Sequence, residues 1–298
     1  MALKPLDPIV LKCVATFESW GPDTPMSTIR KEWDAVFSDV VPTVGAKSQP
    51  VDVGGIKAEW ITAPEAQQDR VVLYLHGGGY VLGSINSHRD VCERLSRAAK
   101  ARVLAIEYRL APEHPFPAGI EDAVAAYRWL LKLGLPAKRI AIAGDSAGGG
   151  LSISTLLALK QAGDPLPACV TLMSPWVDLE LLGDSMTSKG DEDPMIKKPM
   201  VAVMSATYVP SGDLRNPLIS PLNADLTGLP PLMIHVGTRE VLLDDSVRLA
   251  ARAKKAGVEV ELKTWEGHVH VFQIFASGVK DGETSLQELG AFIRKHIP

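Results

Sequence analysis

Cysteine is scarce and dispersed: the 298-residue chain holds three, Cys13, Cys92 and Cys169. None lies at a short spacing that ligates a metal, and their odd, scattered number reads as buried free thiols in a reducing cytoplasm. Positive charge is nowhere concentrated. The 31 Lys and Arg against 35 Asp and Glu give a net charge of -4 without a basic run, which argues against nucleic acid or another polyanion as partner. No apolar run approaches the roughly 18 residues that cross a bilayer. Residues 1–8 lack the apolar stretch of a secretory signal, so the expectation is a soluble, cytoplasmic protein without a membrane span. Phosphate-cradling patterns are missing too, with neither Gly-Lys-Ser/Thr nor Gly-x-Gly-x-x-Gly present. There are no internal repeats and no low-complexity tract.

What remains is a regular alternation in a chain that is 46% hydrophobic, ample for a buried core. Residues 49–53 and 56–61 flank Gly54-Gly55 as a hairpin. Short apolar runs then follow at 71–75, 103–106, 140–143, 170–174 and 232–236, with a last strand at 258–264. Such continuous runs suit strands buried on both faces. Helices are expected over 87–100, 119–133, from 151 onward, before residue 256, and over 286–293. The alternation predicts an α/β fold: a mostly parallel eight-stranded sheet with helices on both faces and ligands bound beyond the carboxyl ends of the strands.

Two segments break the pattern. Residues 1–45 carry Ile29, Trp33, Val36 and Phe37 at helical spacing, and residues 179–215 carry Met195, Met200 and Met204. They read as two pieces of a helical cap, with the core divided into 46–178 and 216–298. For the N-terminal helices, packing on the back of the sheet is the alternative. Trp20, Met26 and Trp33 are the cap residues expected at a pocket.

The chemistry centres on Gly144-Asp145-Ser146-Ala147-Gly148, set between an apolar strand and a helix. In that context Gly-x-Ser-x-Gly is the nucleophile turn of α/β-hydrolases. Turning from strand to helix within one residue strains the serine backbone and lifts its hydroxyl clear of the sheet. Upstream, His76-Gly77-Gly78-Gly79 follows a strand directly. Its bare backbone N–H groups would form one half of an oxyanion hole and Ala147 the other. A serine hydroxyl needs a base, and the base an orienting acid. In such folds the chain order is Ser, acid, His. After the strand ending at Val236 the carboxylates are Glu240, Asp244 and Asp245. Glu240 lies at the turn, whereas Asp244 and Asp245 are a helical turn further on and are expected to cap or solvate that helix. For the base, His270 opens an apolar helix start and His268 is the alternative. His76, His88, His114, His235 and His296 read as structural.

Together these motifs resemble those of the hormone-sensitive-lipase-like (family IV) bacterial carboxylesterases. The resemblance rests on His76-Gly77-Gly78-Gly79, Tyr108-Arg109-Leu110-Ala111-Pro112-Glu113-His114-Pro115, Gly144-Asp145-Ser146-Ala147-Gly148-Gly149, Ser174-Pro175-Trp176 and His270. The chain departs from the family in having Glu240-Val241-Leu242 where Asp-Pro-Leu is commoner, and Val271-Phe272 where Gly-Phe usually follows the histidine. The resemblance implies hydrolysis of short- to medium-chain acyl esters through Ser146, His270 and Glu240. It assigns the oxyanion N–H groups to Gly78, Gly79 and Ala147, with Gly77 as a further candidate. It gives Tyr108, Arg109 and Glu113 structural hydrogen bonds, and implies a homodimer through the last strand. No metal or organic cofactor is called for. A receptor-like ligand-binding protein on the same fold is the rival from another class, and an amidase or peptidase would use the same triad.

Overall fold

Long apolar runs become buried strands in the computed structural model, which describes residues 5–40 and 45–298. The start of the 1–8 stretch and the end of the expected N-terminal cap piece, residues 41–44, lie outside the described residues. The strands are β1 (Lys47–Val53), β2 (Ile56–Thr62), β3 (Gln67–Leu75) and β4 (Ala101–Ile106), then β5 (Ile140–Asp145), β6 (Cys169–Met173), β7 (Leu232–Gly237) and β8 (Val260–Trp265). They form one eight-stranded sheet in the order β1-β2-β4-β3-β5-β6-β7-β8. The first hairpin joins antiparallel, and every pairing from β4 to β8 is parallel.

Burial follows position in the sheet. Every residue of the central strands β5, β6 and β7 is buried, while the edge strand β8 alternates, with Glu261 and Lys263 exposed. That alternation is what a half-solvated strand requires.

Helices α1 (Pro8–Ser19) and α2 (Met26–Val36) precede the sheet. Around it come α3 (Ile85–Ala99), α4 (Ala118–Lys132), α5 (Ser146–Ala162), α6 (Ser185–Ser188), α7 (Lys198–Tyr208), α8 (Leu243–Lys255) and α9 (Lys280–His296). Helices α3 and α9 pack on one another, as do α4 and α5, and α8 lies against β7 and β8. Helix α3 begins at a capping box in which Ser84 Oγ accepts from Ser87 N at 3.1 Å.

Two helices start earlier than the apolar periodicity predicts. Helix α9 opens at Lys280 because its first turns carry Asp281 and Glu283, polar residues favoured by the positive end of the helix dipole but silent in a hydrophobic pattern. Helix α5 opens at Ser146 because Gly148, Gly149 and Gly150 are helical here, although a glycine run reads as a turn.

The segments that break the alternation flank the carboxyl ends of the strands. Arg30 on α2 donates from Nε to Val81 O at 2.8 Å and from Nη2 to Ala111 O at 2.9 Å, and pairs with Glu113 at 2.7 Å. This guanidinium fastens α2 to the chain just after the glycine-rich turn and to the 111–113 segment.

Candidate active site

Ser146 is the first residue of α5 and has φ of 51°, a left-handed conformation costly for any residue with a Cβ. The turn is possible because the helix approaches β3 closely: a Cβ on Gly148 would stand 1.9 Å from Leu75 O. The hydroxyl lies 2.9 Å from His270 Nε2. On the other side of that imidazole, Nδ1 meets Glu240 Oε2 in a short contact. Glu240 Oε1 in turn accepts from Ser174 Oγ and Gly237 N, each at 2.8 Å. Glu240 is fully buried and His270 is 5% exposed, so solvent screens this row little.

Burial disfavours a charged imidazole at His270. The Glu240 carboxylate, with the charges of Asp193 and Asp145 behind it, outweighs that and holds the imidazole's pKa above its ordinary 6.5.

The other two carboxylates after β7 have different partners. Asp244 Oδ2 accepts from Ser185 N at 2.9 Å, and Asp245 Oδ2 accepts from Val177 N and Asp178 N, both at 2.9 Å. The expectation that they cap or solvate their helix is corrected: Asp245 is fully buried, and both pin the chain following β6 to α8. His268 Nε2 lies 2.7 Å from Asp281 Oδ2, on a different side chain from the nucleophile's partner.

The glycine turn faces Ser146 across the pocket. Gly78 has φ of 118°, and a Cβ there would strike Leu82 O at 2.1 Å. Gly77 N is already engaged, donating to Asp145 Oδ1 at 3.0 Å. Ala147 sits in the first turn of α5, where backbone N–H groups have no intrahelical acceptor. His76 orders this turn: its Nδ1 is 2.8 Å from Gly77 O and its ring stacks on Tyr108 at 4.3 Å. Burial, then the neighbouring His88, pushes the His76 pKa down to about 3, so it stays neutral. Tyr108, Arg109 and Glu113 make structural bonds, to His76 O, Asp122 and Arg30.

Over Ser146 lies a pocket lined by Phe17 and Trp33 from the N-terminal helices, by Met195, Ile196 and Met204 from the segment between β6 and β7, and by Phe275. Trp33 therefore lies where the sequence suggested, whereas Trp20 and Met26 line an adjoining outer groove that shares Phe17, Met195 and Met204. Among the described residues, no group of His, Cys, Asp and Glu could hold a metal ion.

Two residues escaped the sequence reading. Ser174 was visible only as the end of a strand in a Ser-Pro-Trp run, and Asp193 only as one charge in a polar stretch. Neither type has a spacing rule that marks it, because each acts through a fold contact with a loop far along the chain.

Residues 72–274 match a family described as the alpha/beta hydrolase fold. An acetyl-hydrolase of Streptomyces hygroscopicus is 46% identical over 244 residues, 82% of this chain and 81% of its own length. The carboxylesterase NlhH of Mycobacterium tuberculosis is 38% identical over 215 residues, 69% of this chain and 67% of its own. A solved esterase of the bacterial hormone-sensitive lipase family superposes with a TM-score of 0.94 at 43% identity, covering 99% of this chain and 100% of that one. The chain belongs to the α/β-hydrolase fold family, in its hormone-sensitive-lipase-like branch, and is a carboxylic ester hydrolase.

Proposed function

We propose that the protein is a serine carboxylesterase acting on short- to medium-chain acyl esters through an acyl-enzyme. Ser146 attacks the ester carbonyl while His270 takes its proton, and Glu240 orients and stabilises the imidazolium. The tetrahedral oxyanion is held by Gly78, Gly79 and Ala147; the engagement of Gly77 N by Asp145 supports leaving Gly77 out of that set. Each such donor is worth about 3 kcal/mol in comparable enzymes. The alcohol leaves on the proton carried by His270. Water, deprotonated by the same imidazole, then cleaves the acyl-enzyme and regenerates Ser146.

The observation that carries this reading is the 2.9 Å approach of His270 Nε2 to Ser146 Oγ, with Glu240 on the far nitrogen. The apolar lining of the pocket supports a neutral acyl chain of limited length. We assign residues 1–45 and 179–215 to a cap, on the support of Arg30 and of the lining side chains that both segments contribute. A homodimer through β8, an edge strand, belongs to the same reading, as does a cytoplasmic location, favoured by three buried unpaired cysteines.

The test is Ser146→Ala assayed on p-nitrophenyl esters of graded acyl length. The reading requires a loss of roughly 10⁶-fold in kcat, and a wild-type rate that peaks at short or medium chains. Retained turnover in Ser146→Ala rules out the nucleophile.

A further inference from the structure

The inserted segment between β6 and β7 does more than roof the pocket. Asp193, fully buried, sits in this segment. Its Oδ1 accepts from Met195 N and Ile196 N, both at 2.9 Å, and these two residues form part of the apolar pocket wall. Its Oδ2 accepts from Val241 N, also at 2.9 Å. Val241 is the residue after Glu240. On the other flank of Glu240, Arg239 Nε donates to Glu192 O at 2.8 Å. Ser185 Oγ adds a bond to Val241 O at 2.6 Å. The loop that carries Glu240 is thus bonded to the inserted segment on both sides of that carboxylate.

We propose that Asp193 is a positioning residue that ties the pocket wall to the acid loop, so that the placement of the acyl chain and of Glu240 are set together. The inference rests on the triad reading above. Its physical basis is geometric. A catalytic carboxylate must be held to within about 0.5 Å, which a loop achieves only when neighbouring groups fix it. Here one buried carboxylate satisfies three backbone N–H groups, two on the wall and one on the loop. Burial raises the pKa of the Asp193 carboxyl, while its charge adds to the larger effect of Glu240, and to that of Asp145, in favouring the protonated form of His270. The Met195–Ile196 part of the roof is consequently a fixed wall, and movement that admits substrate falls to other parts of the cap.

Asp193→Asn keeps the shape, removes the charge and leaves one of the three N–H groups facing an amide donor. We expect kcat to fall between about tenfold and a hundredfold, KM to rise for esters that reach Met195 and Ile196, and the acid limb of kcat/KM to move to lower pH. A purely structural role would lower the melting temperature but would not move that limb. A folded Asp193→Asn enzyme with wild-type kcat and an unmoved acid limb overturns the proposal. Should that variant not fold, amide hydrogen exchange on the wild-type protein decides: Val241, Met195 and Ile196 must share one slow opening, and an unprotected Val241 amide overturns the tie. Glu240→Gln separates this inference from its foundation. An active Glu240→Gln enzyme removes the triad itself, whereas an inactive one beside a wild-type-like Asp193→Asn removes only the role of Asp193.

Discussion

Ser174 donates its hydroxyl to Glu240 Oε1 at 2.8 Å. Ser174 Oγ itself accepts from Val271 N at 3.1 Å, so one hydroxyl just past the end of β6 joins the loop of Glu240 to the residue that follows His270. Ser174 adopts φ of 46° to reach that position. The three residues come from three separate turns at the carboxyl ends of the strands, and Ser174 lies between the other two.

Ser174→Ala therefore leaves Glu240 Oε1 with Gly237 N alone and strands the Val271 N–H. Each buried group left unpaired costs about 1–3 kcal/mol. The expected result is a drop in kcat/KM of roughly tenfold, about 1.4 kcal/mol of lost transition-state stabilisation, together with a lower melting temperature. Steady-state kinetics and thermal unfolding on the same preparation check both. Undiminished kcat/KM would show that the Gly237 bond orients the acid without help.

Exchanging the two acid candidates gives a sharper contrast. Glu240→Gln presents an amide to His270 Nδ1 and no longer stabilises its positive form, so kcat should fall by about 10⁴-fold. Asp244 accepts from Ser185 N and stands outside the row, so Asp244→Asn should keep kcat within about tenfold of wild type. A reversal of this order transfers the acid role to Asp244.

The pH dependence follows from His270. In the proposed mechanism His270 must be neutral to accept the Ser146 proton, and its pKa is raised above 6.5 by Glu240, Asp193 and Asp145 against the effect of burial. The acid limb of kcat/KM should accordingly have an apparent pKa above that of an ordinary histidine, with the rate falling about tenfold per pH unit below it. A profile that stays flat down to pH 4 removes the imidazole from the mechanism.

Much of the candidate site was legible in the sequence because the groups gathered there sit at strand ends, and strand ends are marked. Apolar runs locate β3, β5 and β7, and the residues just past them are the glycine turn, Ser146 and Glu240. His270 stands five residues beyond the end of β8 at Trp265, within the same rule. The signal fails where an element is polar or its partners are remote. The acidic first turn of α9 and the four residues at the start of β3 carry no apolar pattern, so both elements look shorter than they are. Asp245 looks like a surface helix residue because local sequence cannot show that the chain after β6 folds back to give it two N–H donors. Asp193 is hidden in the same way, by a bond spanning 48 residues.

His235 gives a prediction about stability rather than rate. It is fully buried in β7, with Nδ1 2.7 Å from Ser285 Oγ. Glu288 Oε2 lies 3.8 Å from Nε2 and would favour a charged ring, but Glu288 is itself neutralised by Lys263 at 2.7 Å. Burial, and then the Lys263 charge, push the His235 pKa from 6.5 down to about 3. The unfolded chain thus binds a proton near pH 6.5 that the folded chain refuses until near pH 3. Protons bound by the unfolded state exceed those bound by the folded state throughout that window, so stability is lost as pH falls through it, by about 1.4 kcal/mol per pH unit from this one group. His235→Gln cannot titrate and escapes that loss. At pH 7 the variant should be the less stable protein, since it gives up a packed ring, but the gap to wild type should narrow steadily as urea unfolding is repeated at pH 6, 5 and 4. A gap that widens on acidification would mean that His235 is protonated in the folded state and paired with Glu288.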